Sequence, residues 1–157
     1  MSDGKMAELQ GARMVDVSSK DDTVREAAAQ AVVRMSLETA AMIDQGSIPK
    51  GDVLATAKIA AIMATKRTPD VLPLCHPIAI SGVDVEIDLK LELGLLEVCV
   101  TVRSVGKTGV EMEALTGASI AALCVYDMCK SLERGIVIEK VMLLTKSGGR
   151  SGNWVRK

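Results

Sequence analysis

The chain has 157 residues, 19 basic and 20 acidic, with 48% apolar and 25% charged residues. That is the size and mix of one globular domain able to fold without a metal or disulfide staple. The net charge of -1, one tyrosine (Tyr126), one tryptophan (Trp154) and no phenylalanine argue against a nucleic-acid binder. Such a protein would need a basic excess for phosphates or an aromatic platform for bases.

Residues 1–13 read as a loose tail with neither an apolar signal core nor a basic leader. Met14-Val15-Asp16-Val17-Ser18 alternates like a short strand. Thr23 and Glu26 fit a capping box, which predicts a helix from there to Gly46 with Val24, Ala28, Ala31, Met35 and Met42 on its apolar side. After a loop over 46–50, a second helix is expected from Asp52 to Lys66, rich in small residues and closed by Thr68-Pro69. Pro69, Pro73 and Pro77 then hold His76 on a rigid, extended segment.

Val83, Val85, Ile87 and Leu89 alternate with Asp84, Glu86 and Asp88, and Leu96, Val98, Val100 and Val102 repeat the pattern beyond Gly94. This predicts a β-hairpin. A long helix is expected from Val110 to Glu133, stopped by Gly135, followed by a strand through Val137, Val141 and Leu143. The glycines of 147–152 read as too flexible for regular structure. The order β, α, α, β, β, α, β predicts an α+β layer with helices packed on one face of a mainly antiparallel sheet. The domain spans 14–152, and 153–157 form a C-terminal tail.

His76 is the only histidine, which excludes a zinc site built from several histidines of one chain. Cys75, Cys99, Cys124 and Cys129 contain no Cys-x-x-Cys pair and read as reduced thiols of a cytoplasmic protein. Gly106-Lys107-Thr108-Gly109 fails as a Walker loop, since Thr101 stands where that loop needs glycine, and reads as a glycine-rich turn. Lys146 to Gly152 combines glycine backbone with Lys146 and Arg150, equally an anion site or a frayed tail. Asp127 and Lys130 share a helix face and can couple, as a functional pair or as an ordinary surface ion pair. Glu113 lies near the same stripe, roughly 40° away, but about 21 Å along the axis. The two carboxylates therefore serve opposite ends of a long substrate or meet through a second copy. Lys50, after Pro49, is a candidate proton donor or phosphate ligand, or a solvated loop lysine. Lys66-Arg67 at a helix end can simply complement the dipole.

Together these segments closely resemble the MoaC family, the cyclic pyranopterin monophosphate synthases of molybdenum cofactor biosynthesis. The resemblance runs from Met14 to Gly152. It rests on Met14–Ser18, Thr23–Ala27, Lys50-Gly51-Asp52-Val53, Lys66-Arg67-Thr68, Pro73-Leu74-Cys75-His76-Pro77, the run Gly106–Thr116, Tyr126-Asp127-Met128-Cys129-Lys130 and Lys146-Ser147-Gly148-Gly149. Mild departures are Ala61 in place of an expected glycine and Arg150 where lysine is common.

The resemblance implies a ferredoxin-like fold and a homohexamer, a trimer of dimers with active sites between subunits. It implies conversion of 3',8-cyclo-7,8-dihydro-GTP to cyclic pyranopterin monophosphate with loss of pyrophosphate. It also implies catalytic roles for Asp127, Lys50 and Lys130, and substrate contacts from Leu74, Cys75, His76, Met112 and Glu113, with Glu111 beside them. Arg25, Lys66, Arg67 and Lys146 are candidate triphosphate contacts. No cofactor is required; Mg²⁺ can accompany the phosphates. No nucleic-acid or membrane partner is expected. The competing readings are a non-catalytic nucleotide- or anion-binding oligomer and a general phosphatase or nucleotide hydrolase.

Overall fold

The alternation in residues 83–102 sets the frame. In the computed structural model, which describes residues 11–157, strands β2 (Ile80–Lys90) and β3 (Leu95–Gly106) form the expected hairpin. Val83 pairs with Val102, Val85 with Val100, Ile87 with Val98 and Leu89 with Leu96. A 3-10 turn over Leu91–Leu93 closes it. Gly94 sits at φ 59°, and a Cβ there would overlap the Met35 carbonyl, so two constraints require glycine.

The predicted helix from Thr23 to Gly46 is instead strand β1 (Thr23–Arg34) followed by a short helix, α1 (Leu37–Asp44). Its alanines, glutamate and glutamine suit a helix, and Thr23 and Glu26 imitate a capping box. Tertiary pairing overrides this preference. β1 lies between β3 and strand β4 (Val137–Ser147), with Ala31 opposite Val98 on one side and Val141 on the other. Ala27, Ala29, Ala31 and Val33 are fully buried at period two. The true cap is Ser36, whose Oγ accepts the Thr39 N–H at 3.1 Å. The strand expected at 14–18 is also absent: residues 11–17 lack regular structure and run into a turn closed by Lys20 N–H to Val17 O at 3.0 Å. The tail expected over 1–13 lies, up to residue 10, outside the described residues.

Helix α2 (Val53–Thr65) follows its expectation, capped by Asp52 Oδ1 on Ala55 N–H at 2.9 Å. Pro69 opens a further short helix, α3 (Thr68–Val71). Proline is tolerated there because first-turn N–H groups have no intrahelical partner anyway. Helix α4 (Glu111–Cys129) ends before the predicted Gly135 stop. The chain leaves it through a turn in which the Leu132 and Glu133 N–H groups bond Cys129 O. The glycine segment after β4 is an ordered turn, with Gly152 N–H to Gly149 O at 3.1 Å. It returns the chain as β5 (Trp154–Val155) against Lys146 and Thr145.

The five strands run in the order β2-β3-β1-β4-β5, all neighbours antiparallel. This is the α+β arrangement expected, and β1 to β4 with their two helical crossovers have the frame of a ferredoxin-like fold. Helices α2 and α4 cover one face, where Leu96, Val98, Val100 and Val102 are completely buried. Each such side chain contributes about 1.5–3 kcal/mol by leaving water. The opposite face is polar, with Arg103 bridging Glu26 and Asp84 and Lys90 paired with Glu97. By length and apolar content alone α4 could cross a membrane. Here it is the core helix, with Ala114, Gly117, Ala118, Ala121 and Ala122 buried.

Helix α4 approaches α2 and β3 closely at Gly117. A Cβ there would stand 2.6 Å from Thr65 Oγ1, 3.1 Å from Val100 Cγ1 and 3.3 Å from Ala61 O. Gly117→Ala should therefore destabilise the fold by about 1–3 kcal/mol, the usual cost of overpacking. The urea unfolding midpoint measures it, and an unchanged midpoint would contradict this packing.

Candidate active site

Strand register brings several loops to one end of the sheet. Thr23 pairs with Gly106 and Glu26 with Ser147, so the start of β1 meets the ends of β3 and β4. Ile80 pairs with Ser104, which brings in the segment of His76. Helix α4 begins here, directly after the Gly106–Gly109 turn.

Two clefts open at this end. The first, about 490 Å³, is lined by Lys20, Arg25, Lys107, Lys146 and Arg150, by Gly148 and Gly149, and by the carboxylates Asp21 and Glu111. Its cations outnumber its carboxylates, which suits a polyanion. The second, about 550 Å³, is lined by Leu74, Cys75, His76, Met112 and Glu113, with Arg13, Val17 and Ile78. Lys20, Thr108, Gly109 and Glu111 belong to both, so the two clefts share a wall.

Glu113 is 2% exposed. Burial pushes its carboxyl above the usual range, its own backbone N–H opposes this, and the nearby Glu111 charge adds to the rise. Burial also raises the Cys75 thiol, and Glu113 raises it further. All four cysteines are unpaired.

The predicted catalytic residues assemble at the other end of α4. Lys50 Nζ donates to Asp127 Oδ2 at 2.8 Å and to Asp127 O at 2.9 Å. Lys130 Nζ stands 2.7 Å from Asp127 Oδ1. Hydrogen bonds from Lys130 and then Lys50 hold the Asp127 carboxyl down at about 2. Asp127 in turn raises the Lys130 ammonium. Within one chain Lys130 therefore lacks the downward shift that would let it trade protons freely near neutral pH. The side chains of Lys50, Asp127 and Lys130 are 42%, 52% and 52% exposed. The cluster thus adds little stability and leaves its charged groups open to a ligand.

One chain does not unite the two groups. Glu113 and Asp127 remain about 21 Å apart along α4. Thr65 Oγ1, which donates to Ala61 O at 2.9 Å, also lies 3.3 Å from Glu113 O, which places the end of α2, and with it Lys66 and Arg67, at the cleft end of the helix pair. Neither of those two lines the clefts. Lys20 escaped sequence reasoning because a single lysine in a polar turn carries no spacing signal. Lys107, read as part of a plain turn, lines the first cleft and is tethered by Nζ to Ser18 O at 2.9 Å.

The fold and clefts define a small α+β protein with a cation-lined cleft beside a half-apolar one. Residues 14–149 match the MoaC family. The chain is 56% identical over 144 residues to the cyclic pyranopterin monophosphate synthase of Roseiflexus sp. (strain RS-1), covering 92% of this chain and 91% of that protein. It is 52% identical over 146 residues to the protein of that name from Peptoclostridium acidaminophilum, with coverage of 93% and 92%. A third, from Thermoanaerobacter sp. (strain X514), is 51% identical over 146 residues, with coverage of 93% and 92%. The chain belongs to the MoaC family.

Glu113 yields a stability prediction. Its raised value favours the protonated form in the folded state. The associated stability is present below the unfolded carboxyl value and is lost as pH rises through the folded one. Glu113→Gln should therefore raise the melting temperature at pH 7. The gain should shrink towards zero below about pH 4. Thermal melts across pH measure this; an equal gain at every pH would point to packing instead.

Proposed function

We propose that this chain is a cyclic pyranopterin monophosphate synthase of molybdenum cofactor biosynthesis, a lyase. It converts 3',8-cyclo-7,8-dihydro-GTP to cyclic pyranopterin monophosphate and releases pyrophosphate. Relatives at 51–56% identity bear that name. The observation that carries the reading is Asp127 clamped between Lys50 and Lys130. The rearrangement is redox-neutral, but it opens and rebuilds a ring system and closes a cyclic phosphate. It needs positioned proton donors and acceptors, and cations facing the departing pyrophosphate.

In this reading Asp127 is the carboxylate that accepts protons and fixes the two lysines. Lys50 and Lys130 act as proton donors and as cations facing developing negative charge. Leu74, Cys75, His76, Met112 and Glu113 hold the ring system, with Glu111 beside them. The cation-rich cleft, with Arg25 and Lys146, takes the triphosphate. Lys66 and Arg67 belong to its outer approach. A second copy completes the site by bringing the Asp127 end of its α4 towards these clefts, within a homohexamer built as a trimer of dimers.

Magnesium would arrive on the phosphates, with Asp21 and Glu111 the carboxylates on the cleft wall. No group of three metal-ligating side chains occurs among the described residues, and the proposed chemistry routes no step through a metal. The substrate is a small molecule, with neither nucleic acid nor membrane as partner. The unpaired cysteines suit a cytoplasmic setting.

A single-turnover assay of the parent and Asp127→Asn on the cyclised dihydro-GTP tests this. The parent should yield pterin and pyrophosphate in equal amounts, and the variant should be slower by about 10²-fold or more. The Lys130 ammonium should also titrate at lower pH in the variant, as NMR can follow, because the carboxylate that raises it is gone. Tight substrate binding without product from either protein would favour the non-catalytic anion-binding oligomer.

A further inference from the structure

Arg25 stands out among the cations of the first cleft. It is 9% exposed, whereas Lys20, Lys107 and Lys146 are only half-buried and Arg150 is exposed. Among the described residues no carboxylate pairs with it. Two of its nitrogens instead hold a loop: Nε donates to Gly106 O at 3.1 Å, and Nη2 to Lys107 O at 3.2 Å. The other side of the guanidinium is covered by the turn after β4. A Cβ on Gly149 would overlap the guanidinium, and one on Gly148 would overlap the Val24 carbonyl. Arg25 is thus wedged between the Gly106–Lys107 turn and the Gly148–Gly149 turn, both of which line the cleft. A burial this deep is costly for a charge without a counter-ion. A planar fork holds its two carbonyls in fixed directions and presents a flat face to a bare backbone, whereas a lysine ammonium is a compact point donor with no such face.

We propose that Arg25 is a positioning residue of the phosphate cleft. It sets the Gly106–Lys107 and Gly148–Gly149 turns relative to each other, so that Lys107 and Lys146 converge on one anion, and Gly149 is glycine because it rests on the guanidinium. This rests on the assignment of the cleft to phosphates. It changes the expected part of Arg25 from a phosphate ligand to the support of the groups that are.

Four variants separate the readings: Arg25→Lys, Gly149→Ala, the double variant of these two, and Gly152→Ala. Gly152 shares the positive φ, 60° against 71° for Gly149, but a Cβ there meets nothing within 4 Å. It therefore controls for backbone strain alone. Inorganic pyrophosphate is titrated into each full-length protein, and KM and kcat are measured on the cyclised dihydro-GTP.

Arg25→Lys and Gly149→Ala should each weaken pyrophosphate binding and raise KM by about tenfold, with kcat within about twofold of the parent. Gly152→Ala should stay within about twofold, and the double variant should be little worse than either single one, because both act on one element. Loss of folded protein would lower kcat and leave KM alone, which would overturn the proposal. So would Arg25→Lys with parental affinity, since charge alone would then suffice. A parent protein that turns over substrate but does not bind pyrophosphate would overturn the phosphate assignment of the cleft itself, and that result is readable before any variant is made.

Discussion

The layer between β1 and α4 can be only as thick as its side chains allow, and nearly all of them are small. Ala27, Ala29 and Ala31 fill the buried face of the central strand. Ala114, Gly117, Ala118, Ala121 and Ala122 are buried on the helix that packs over β1 and β3. Bulk comes instead from the flanking strand, through Leu96, Val98, Val100 and Val102. Small residues in the centre let α4 lie close to the sheet and leave room for α2 beside it, with Ala61 and Thr65 against Gly117. Packing density in such an interior leaves little freedom to shift. The two ends of α4 are therefore fixed points.

The chemistry is distributed according to those ends. At the first turn, burial makes Glu113 reluctant to ionise, and the neighbouring loops collect cations. At the last turn, Asp127 is strongly ionised and exposed between two ammonium groups. One helix thus carries two carboxylates with opposite electrostatic settings, caused respectively by desolvation and by paired charge. Their separation along a rigid rod keeps the two carboxylates of one chain about 21 Å apart.

The hairpin, α2 with its Asp52 cap, and the pairing of Asp127 with Lys130 were legible in the sequence because each rests on local periodicity or spacing. β1 was not. Ala27, Ala29 and Ala31 give weak alternation against alanine and glutamine neighbours, and the pairing that makes them a strand comes from residues more than sixty positions away. The ends of α4 and of the sheet were misjudged for the same reason: the turn at Leu132 and the return of Trp154 onto Lys146 depend on tertiary contacts. Of the site residues, Lys50 came through as an isolated lysine whose partner was invisible, since Asp127 lies 77 positions on. Arg25 was read as one cation among several, because burial and the carbonyls it holds leave no trace in composition.

The position of β1 has a consequence for how the chain is made. Among the described residues the first strand in chain order is the middle of the sheet, and its neighbours are β3 and, later still, β4. Such long-range closure is slow, and unpaired strand edges invite association while they wait. The run Ala27–Ala31 at its centre, four alanines and a glutamine, offers little sticky surface during that interval, where valines or isoleucines would offer much more. The same small side chains that bring α4 close to the sheet in the finished protein thus also make the waiting strand a poor template for aggregation.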